Sequence, residues 1–267
     1  MHQFGRGDKY TRKSNHNFDF KEDNMQIRVI VNGATGKMGT LACTTLENHP
    51  EFVLVAQLNK KDSLAEAIKS TEAQIVVDLT RADCVYENSF TIIQSGARPV
   101  IGTSGLVAEQ VEELNKLCKG QRLGGIIAPN FSIGAVLMMI CAAKAAEYLS
   151  EVEIIEAHHQ QKLDAPSGTA LKTAAMIAAA RKHPKNKLAL KELVSGARGG
   201  TYEEINIHSL RLPGMLARQE VLFGSLGETL SITHNSIDRQ CFMPGIILAC
   251  QKVMHLNHLI YGLEHVL

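Results

Sequence analysis

Between residues 25 and 130, short apolar runs alternate with segments of helical periodicity. The apolar runs occur at 27–31, 52–56, 75–77, 100–101 and 126–128. One intervening segment has apolar residues at helical spacing: Val107, Val111, Leu114 and Cys118. Buried strands that alternate with helices are typical of parallel βαβ units. The pattern therefore predicts an α/β fold with a Rossmann-type, doubly wound parallel sheet.

After residue 131 the pattern changes. It predicts a helix at 134–148, a strand at 152–157 and a helix at 170–181. Beyond Gly200 it favours antiparallel strands around 205–207, 220–223 and 229–233, and then a final helix that starts at Pro244, with Ile247, Cys250, Val253 and Met254 on one face. We therefore predict a dinucleotide-binding domain at 25–130 and 240–267. A substrate-binding and oligomerisation domain at 131–239 would be α+β, with a mixed or antiparallel open sheet.

Residues 1–24 contain no Ala, Val, Ile or Leu, so they cannot form a periodic apolar face. We predict a mobile N-terminal extension, with Met25 as an alternative start. The segment carries four acidic residues, which argues against a transit peptide.

The overall composition narrows the class of protein. Hydrophobic residues make up 45% of the chain and charged residues 21%, and the formal net charge is +1. A chain without a basic excess is not expected to bind nucleic acid. The longest apolar run, 135–143, is too short to cross a membrane. The six cysteines lack C-x-x-C spacing, so we expect reduced thiols in a soluble cytoplasmic enzyme.

A glycine-rich turn follows the first predicted strand and opens a helix. Glycines allow a tight turn and let backbone amides approach a phosphate, and the helix N-terminus adds partial positive charge. We predict a dinucleotide pyrophosphate site here, although a purely structural turn is the alternative. Thr35 occupies the place of the usual second glycine. The predicted cofactor-binding residues are Gly33, Ala34, Thr35, Gly36, Lys37 and Met38.

The end of the second strand bears on the choice between NADH and NADPH. Twenty residues after Gly39, where an acid would hold an adenine-ribose hydroxyl, the chain has Asn59, Lys60 and Lys61. Asn59 and Lys60 are therefore predicted cofactor-binding residues. Two ammonium groups can pair with a 2′-phosphate, so we expect NADPH to serve at least as well as NADH. Alternatively, both lysines are solvated loop charges.

Two further loops lie at predicted strand ends, where open α/β sheets bind ligands. As isolated tetrapeptides they are ordinary turns, but their shared position predicts contact with a nicotinamide, and Asn130 suits its carboxamide. The predicted residues are Gly102, Thr103, Ser104, Ala128, Pro129, Asn130 and Phe131.

The richest chemistry lies between residues 156 and 169. Histidine side chains titrate near neutrality, so one of His158 and His159 can donate a proton, while Lys162 is a cation that can pair with a carboxylate. Ser167 or Gly168 is placed to cap the next helix, which leaves the amides of Gly168 and Thr169 free to bind an anion. The histidine pair lacks a third ligand at suitable spacing, so no metal is expected, and a surface loop is the alternative.

Together these motifs resemble the 4-hydroxy-tetrahydrodipicolinate reductase (dihydrodipicolinate reductase) family over residues 25–267. The run from His158 to Thr169 is the specific part of the resemblance, since the nucleotide motifs are widespread. The resemblance implies hydride transfer from NADPH, NADH or both to a cyclic, unsaturated dicarboxylate on the route to diaminopimelate and lysine. It implies catalysis by His158 and Lys162, substrate binding by His159, Ser167, Gly168 and Thr169, and a homotetramer.

Two points stay open after the resemblance. Many relatives carry an acid at the Asn59 position, which leaves the preference between NADH and NADPH open. Arg198 and Arg239 match basic positions of the family, but no role is assigned to them.

The rival hypotheses are an amine dehydrogenase acting on amino acids, which shares the two-domain plan, and a non-catalytic dinucleotide sensor. A sensor would need neither His158 nor Lys162.

Overall fold

A computed structural model describes residues 26–182 and 191–267. The predicted extension at 1–24 lies outside the described residues. No helix in the described part is long and apolar enough to cross a membrane.

The first sheet is parallel and has helices on both faces, as predicted. Its strand order is β2-β1-β3-β4-β5-β11, so the chain reverses its winding direction between β1 and β3. Its strands are β1 (Ile27–Asn32), β2 (Phe52–Leu58), β3 (Ile75–Asp78), β4 (Arg98–Ile101), β5 (Gly125–Ile127) and β11 (Leu259–Tyr261). Its helices are α1 (Lys37–Glu47), α2 (Leu64–Thr71), α3 (Val85–Gln94), α4 (Ala108–Gln121) and α7 (Met243–Val253). This confirms the predicted Rossmann-type α/β class.

The sixth strand, β11, was not predicted. It has three residues and pairs in parallel with β5. The segment is apolar, but the sequence analysis did not interpret it as a strand, and its hydrogen bonding to β5 identifies it as one.

The second sheet is mixed. Its order is β10-β9-β6-β8-β7, in which β6 runs parallel to β8 and antiparallel to β9. Its strands are β6 (Glu151–His158), β7 (Gly200–Tyr202), β8 (Ile205–Arg211), β9 (Ala217–Ser225) and β10 (Glu228–Ser236). Two helices, α5 (Ile133–Ala146) and α6 (Gly168–Ala180), enclose an apolar core with this sheet. Strands β9 and β10 extend beyond the predicted ranges. The prediction missed their ends because the residues there are mostly polar.

The C-terminal residues return to the first sheet. In α7 the buried residues include Ile246, Ala249, Cys250 and Val253, which join the core of the first sheet. Two members of the predicted apolar face, Ile247 and Met254, are only partly buried. This placement is consistent with assigning 240–267 to the dinucleotide-binding domain, but the division into domains stays a prediction.

The turn between β1 and α1 is tight because two of its glycines pack directly against backbone atoms. Gly33 has a φ of +86°, and a Cβ there would lie 2.7 Å from the carbonyl oxygen of Leu79. A Cβ on Gly39, within α1, would lie 2.1 Å from the Gly33 carbonyl oxygen. Both neighbours are backbone atoms, so larger residues cannot be accommodated by a side-chain rotation.

We expect Gly39→Ala to lower the free energy of unfolding by ~1–3 kcal/mol, because overpacking against backbone forces the turn to shift. The matched control is Gly120→Ala in the last turn of α4, where an added Cβ meets nothing within 4 Å. There alanine should stabilise by up to ~1 kcal/mol. Urea unfolding measures both changes, and equal effects at the two positions would contradict the packing argument.

Candidate active site

The glycine-rich turn leaves a helix N-terminus open. Helix α1 begins after Gly36, which makes no side-chain cap, and its first turn contains no acidic residue. The first amides of a helix have no intrahelical partner and attract anions. The uncapped N-terminus of α1 therefore suits the pyrophosphate of a dinucleotide, and Gly33 and Gly39 let the turn that leads into it be tight.

Asn59, the residue after β2, binds this turn through its side chain. Its Oδ1 accepts hydrogen bonds from the Thr35 backbone N–H at 3.0 Å and from Thr35 Oγ1 at 2.8 Å. Lys60 and Lys61 are exposed beside it. The prediction overlooked Asp62, whose carboxylate accepts a hydrogen bond from the Asn59 N–H at 2.7 Å. The loop thus contains one acid along with its two lysines.

A buried carboxylate organises the loops after β3 and β4. Asp78 is fully buried and accepts from Asn32 at 2.9 Å, from Asn88 at 2.8 Å and from Thr80 Oγ1 at 2.7 Å. Thr103 Oγ1 also donates to it, at 2.9 Å. The hydroxyl of Thr103 is therefore committed to the protein, and Thr103 supports the loop that carries Gly102 and Ser104.

Two adjoining cavities lie where the first sheet's loops meet the second sheet. The glycine-side cavity, about 300 Å³, is lined by Met38, Gly102, Ala128, Pro129, Asn130, Phe131, His158, Ser167 and Thr169, among others. The lysine-side cavity, about 440 Å³, is lined among others by Ser104, Pro129, Asn130, His158, Lys162, Ser167, Gly168 and Thr169. Residues more than 100 positions apart in sequence thus form one cleft. The following predicted residues line neither cavity: Gly33, Ala34, Thr35, Gly36, Lys37, Asn59, Lys60, Thr103 and His159.

His158 ends β6 and lines both cavities. Its Nδ1 lies 2.5 Å from Oε2 of Glu156, which is fully buried. Arg211, the register partner of His158 on β8, binds both oxygens of the same carboxylate at 2.9 and 3.0 Å. Burial by itself would raise the pKa of Glu156, but hydrogen bonds from His158, Arg211 and Ser209 outweigh it and lower the pKa to about 2. Glu156 is therefore ionised at neutral pH, and it can only accept hydrogen bonds.

Lys162 lies in the loop that follows β6. Its Nζ contacts both carboxylate oxygens of Asp164, at 2.8 and 2.7 Å. This hydrogen bonding lowers the pKa of Asp164. The ammonium group lines the lysine-side cavity and is oriented there by a partner two residues away.

The N-terminus of α6 faces the same cavity. Ser167 caps the helix by accepting a hydrogen bond from the Ala170 N–H at 3.2 Å, so its hydroxyl is used within the protein. No atom lies within 4 Å of where a Gly168 Cβ would stand. Asn130 Nδ2 donates to Thr169 Oγ1 at 3.2 Å, and its Oδ1 accepts from the Ser132 N–H at 2.8 Å. The side chain predicted to meet a nicotinamide carboxamide thus joins the first sheet's loop to α6.

His159 occupies a different position from His158. It lines neither cavity, and its Nδ1 is buried with no hydrogen-bond partner within the described residues. The substrate contact implied by the resemblance stays a prediction.

The sequence analysis missed several residues of the cleft. Lys172 of α6 pairs with Glu264 at 2.6 Å and lies over the ring of Tyr261, and all three line the lysine-side cavity. His234 of β10 lies 3.1 Å from Ser132 Oγ and lines the glycine-side cavity, and burial lowers its pKa. His234, Tyr261 and Glu264 are distant in sequence from the motifs, and Lys172, although close to Thr169, lies outside them, so no spacing pattern signals these residues.

No group of three or more His, Cys, Asp or Glu in residues 26–182 and 191–267 is placed to hold a metal ion. All six cysteines are free thiols.

Comparisons with known proteins identify the family. The "Dihydrodipicolinate reductase, N-terminus" family model matches residues 27–131, and the "Dihydrodipicolinate reductase, C-terminus" family model matches residues 134–267. The chain belongs to the dihydrodipicolinate reductase family. This confirms the resemblance and with it an oxidoreductase that uses NAD(P)H in diaminopimelate and lysine biosynthesis.

Curated relatives agree. A 4-hydroxy-tetrahydrodipicolinate reductase of Legionella pneumophila is 75% identical over 243 residues, which are 91% of this chain and 100% of the relative. A 4-hydroxy-tetrahydrodipicolinate reductase of Coxiella burnetii is 51% identical over 243 residues, again 91% of this chain and 100% of the relative. A dipicolinate-bound dihydrodipicolinate reductase of Paenisporosarcina sp. TG-14 matches with a TM-score of 0.83 and 42% identity, over 91% of this chain and 100% of that one.

The rival enzyme class shares only the fold. An amine dehydrogenase of Mycobacterium smegmatis matches with a TM-score of 0.60 at 11% identity, over 90% of this chain and 96% of that one. Fold alone therefore does not separate the two classes, whereas the two family models do.

The lowered pKa of Glu156 makes stability depend on pH. Because its folded pKa of about 2 lies below the ordinary 4.5, the stabilisation is complete above about pH 5 and is lost as pH falls towards 2. The full contribution is about 3 kcal/mol. Urea unfolding between pH 7 and 3 should show a shallower pH dependence in Glu156→Gln than in wild type. Parallel curves would contradict the assignment.

Proposed function

We propose that this chain reduces 4-hydroxy-tetrahydrodipicolinate, by way of dihydrodipicolinate, to tetrahydrodipicolinate, using NADPH, NADH or both. The observation that carries the proposal is the shared cleft, in which His158 and Lys162 face the loops at the carboxyl ends of β4 and β5. Ligands of open α/β sheets bind at such strand ends.

Two positive features of the cleft suit a dicarboxylate. The amides of Gly168 and Thr169 at the start of α6 favour an anion by ~0.3–2 kcal/mol, depending on burial. Lys162 supplies a point charge on the same cavity. That a relative binds dipicolinate, itself a dicarboxylate, supports this substrate class. We assign Gly168, Thr169 and Lys162 to substrate binding, with His159 as a further candidate from the resemblance.

A nicotinamide cofactor, when bound, supplies the hydride. The turn from Gly33 to Met38 would hold its pyrophosphate, Asn59 and Lys60 would lie towards its adenine ribose, and Gly102, Ser104 and Ala128 to Phe131 would lie towards its nicotinamide. Gly102 and Ala128 to Phe131 line the cavity that also contains His158.

The proton comes from the chain's own side chains. Glu156 accepts from His158 Nδ1, so the imidazolium form of His158 donates its Nε2 proton to the substrate, and the neutral ring that remains keeps its proton on Nδ1. Lys162 stabilises the negative charge that develops in the ring and assists the same proton transfer. We assign catalysis to this pair.

We expect His158→Gln and Lys162→Met each to lower kcat by ~10²–10⁴-fold, because each removes a positioned proton donor or cation. A coupled assay with dihydrodipicolinate synthase, followed at the absorbance of NADPH and NADH, measures this loss. His208→Gln is the matched control, since His208 also contacts a β6 carboxylate, Glu153 at 2.8 Å, but lines neither cavity. Wild-type inactivity with both cofactors would refute the proposed reaction.

Cofactor choice depends on the loop after β2. We expect NADPH to serve at least as well as NADH, and Lys60→Ala with Lys61→Ala to raise the KM for NADPH by about tenfold while leaving that for NADH unchanged, since about 1.4 kcal/mol is lost with the phosphate pairing. Lys69→Ala on α2 is the control. A clear NADH preference in both wild type and the double variant would overturn this assignment.

The second sheet is the proposed site of oligomerisation. Edge strand β10 is largely exposed, and Leu222, Leu226 and Leu230 present apolar side chains around the β9–β10 hairpin. Unpaired sheet edges need cover, which a second copy provides. We propose a homotetramer in the cytoplasm, acting on a small molecule without nucleic acid or membrane partners.

A further inference from the structure

Arg211 lies at the end of β8, and its guanidinium contacts both the carboxylate that binds His158 and the backbone of the loop that carries Lys162. Its Nη1 and Nη2 donate to the two carboxylate oxygens of Glu156 end-on, at 3.0 and 2.9 Å. Its Nη2 also donates to the Asp164 carbonyl oxygen at 2.6 Å, and its Nε donates to the Lys162 carbonyl oxygen at 3.3 Å. One planar group therefore joins a buried strand carboxylate to the loop that carries Lys162.

The first consequence concerns His158. Since Glu156 is ionised and accepts only, a neutral His158 ring must keep its proton on Nδ1. The orientation of the ring then depends on where the carboxylate is held. The bidentate contact with Arg211 restricts that carboxylate to one position.

The second consequence concerns Lys162. The loop after β6 leaves the sheet at His158, and two of its carbonyl groups are bound by the same guanidinium. Asp164, whose carbonyl oxygen is one of them, also binds the Lys162 ammonium through its side chain. Arg211 therefore restrains the loop backbone on both sides of Leu163.

The cost of burial argues against a purely stabilising role. A buried ion pair is frequently no more stable than apolar residues of the same volume, because both charges lose their hydration. Glu156 is fully buried, and Arg211 keeps only 19% of its side-chain surface exposed. Such a pair holds its two side chains in one relative position. Here that position determines where the His158 ring and the Lys162 loop lie.

We propose that Arg211 is a positioning residue that sets His158, through Glu156, and Lys162, through its loop, in a single arrangement. This inference rests on the proposed function for the identity of the two catalytic groups. Other charged or titratable groups of the described residues lie near His158 or line the same cavities: His159, Lys162, Asp164, Lys172, Arg218, His234, Tyr261 and Glu264. Unlike these groups, Arg211 binds both the Glu156 carboxylate and the backbone of the Lys162 loop.

Kinetics of Arg211→Met provide the first test. We expect kcat to fall by about 10–100-fold, since small misplacement of catalytic groups costs rates of this order, while the KM for the nicotinamide cofactor stays unchanged. Arg211→Lys, which keeps the charge but not the bidentate fork, should fall between wild type and Arg211→Met. Arg198→Met is the matched control, because Arg198 pairs with Glu153 of the same β6 strand and lines neither cavity. Wild-type kcat in Arg211→Met would overturn the proposal.

A double-variant cycle separates positioning from general destabilisation. If Arg211 acts on His158 through Glu156, then adding Arg211→Met to Glu156→Gln should cost much less in kcat than it costs in wild type. Fully additive losses would overturn this route. All variants are compared well below their melting temperatures, and Arg211→Lys carries the test if Arg211→Met does not fold.

A readout without substrate or cofactor completes the test. The imidazole ¹⁵N chemical shifts report which nitrogen carries the proton, and we expect the Nδ1–H form for neutral His158 in wild type and in Arg198→Met. A mixture of tautomers should appear in Glu156→Gln, whose amide can donate as well as accept, whereas Arg211→Met keeps the carboxylate and should keep the Nδ1–H form. In Arg211→Met the imidazole ¹⁵N signals of His158 should instead shift or broaden, because the carboxylate is no longer held in one position, and wild-type signals there would overturn the proposal. If His158→Gln kept full activity, the proposed function would fail, while this spectroscopic result would still decide the positioning role.

Discussion

The arrangement of the active site depends on one buried carboxylate. Glu156 has no contact with solvent, and it is kept ionised by His158, Arg211 and Ser209. An isolated buried charge is costly, so its partners must stay in place for the carboxylate to remain there. The end of β6, the end of β8 and the loop between β6 and α6 are therefore coupled. This coupling places an imidazole and an ammonium group on the same cleft.

The first sheet also has a buried carboxylate at the end of a strand that binds several segments of the chain. Asp78 at the end of β3 accepts hydrogen bonds from β1, α3 and the loops after β3 and β4. A carboxylate has enough acceptor sites to hold several segments at once. Two buried acids, one in each sheet, thus position the loops that meet in the cleft, and neither of them lines either cavity.

Most of the fold was accessible from local patterns. The apolar runs marked five strands of the first sheet, and Ser132 and Ser167 cap the helices whose starts were predicted near them. The specific run from His158 to Thr169 led to the family. The roles of Thr103, Asn59 and Asn130 were harder to foresee, because their side chains bind protein atoms and their residue types do not reveal which partner they take. His159 illustrates the same limit, since adjacent residues at a strand end face different surroundings.

The sequence by itself determined the order of strands and helices, the glycine turn and the cluster of histidines and lysine, because these follow from spacing along the chain. Only the tertiary structure decided that Lys172 and His234 line the cleft, that Arg211 binds Glu156, and that β11 completes the first sheet. Those contacts join residues far apart in sequence. Their energy comes from burial and from paired charges that exist only once both sheets have formed, so no local pattern carries it.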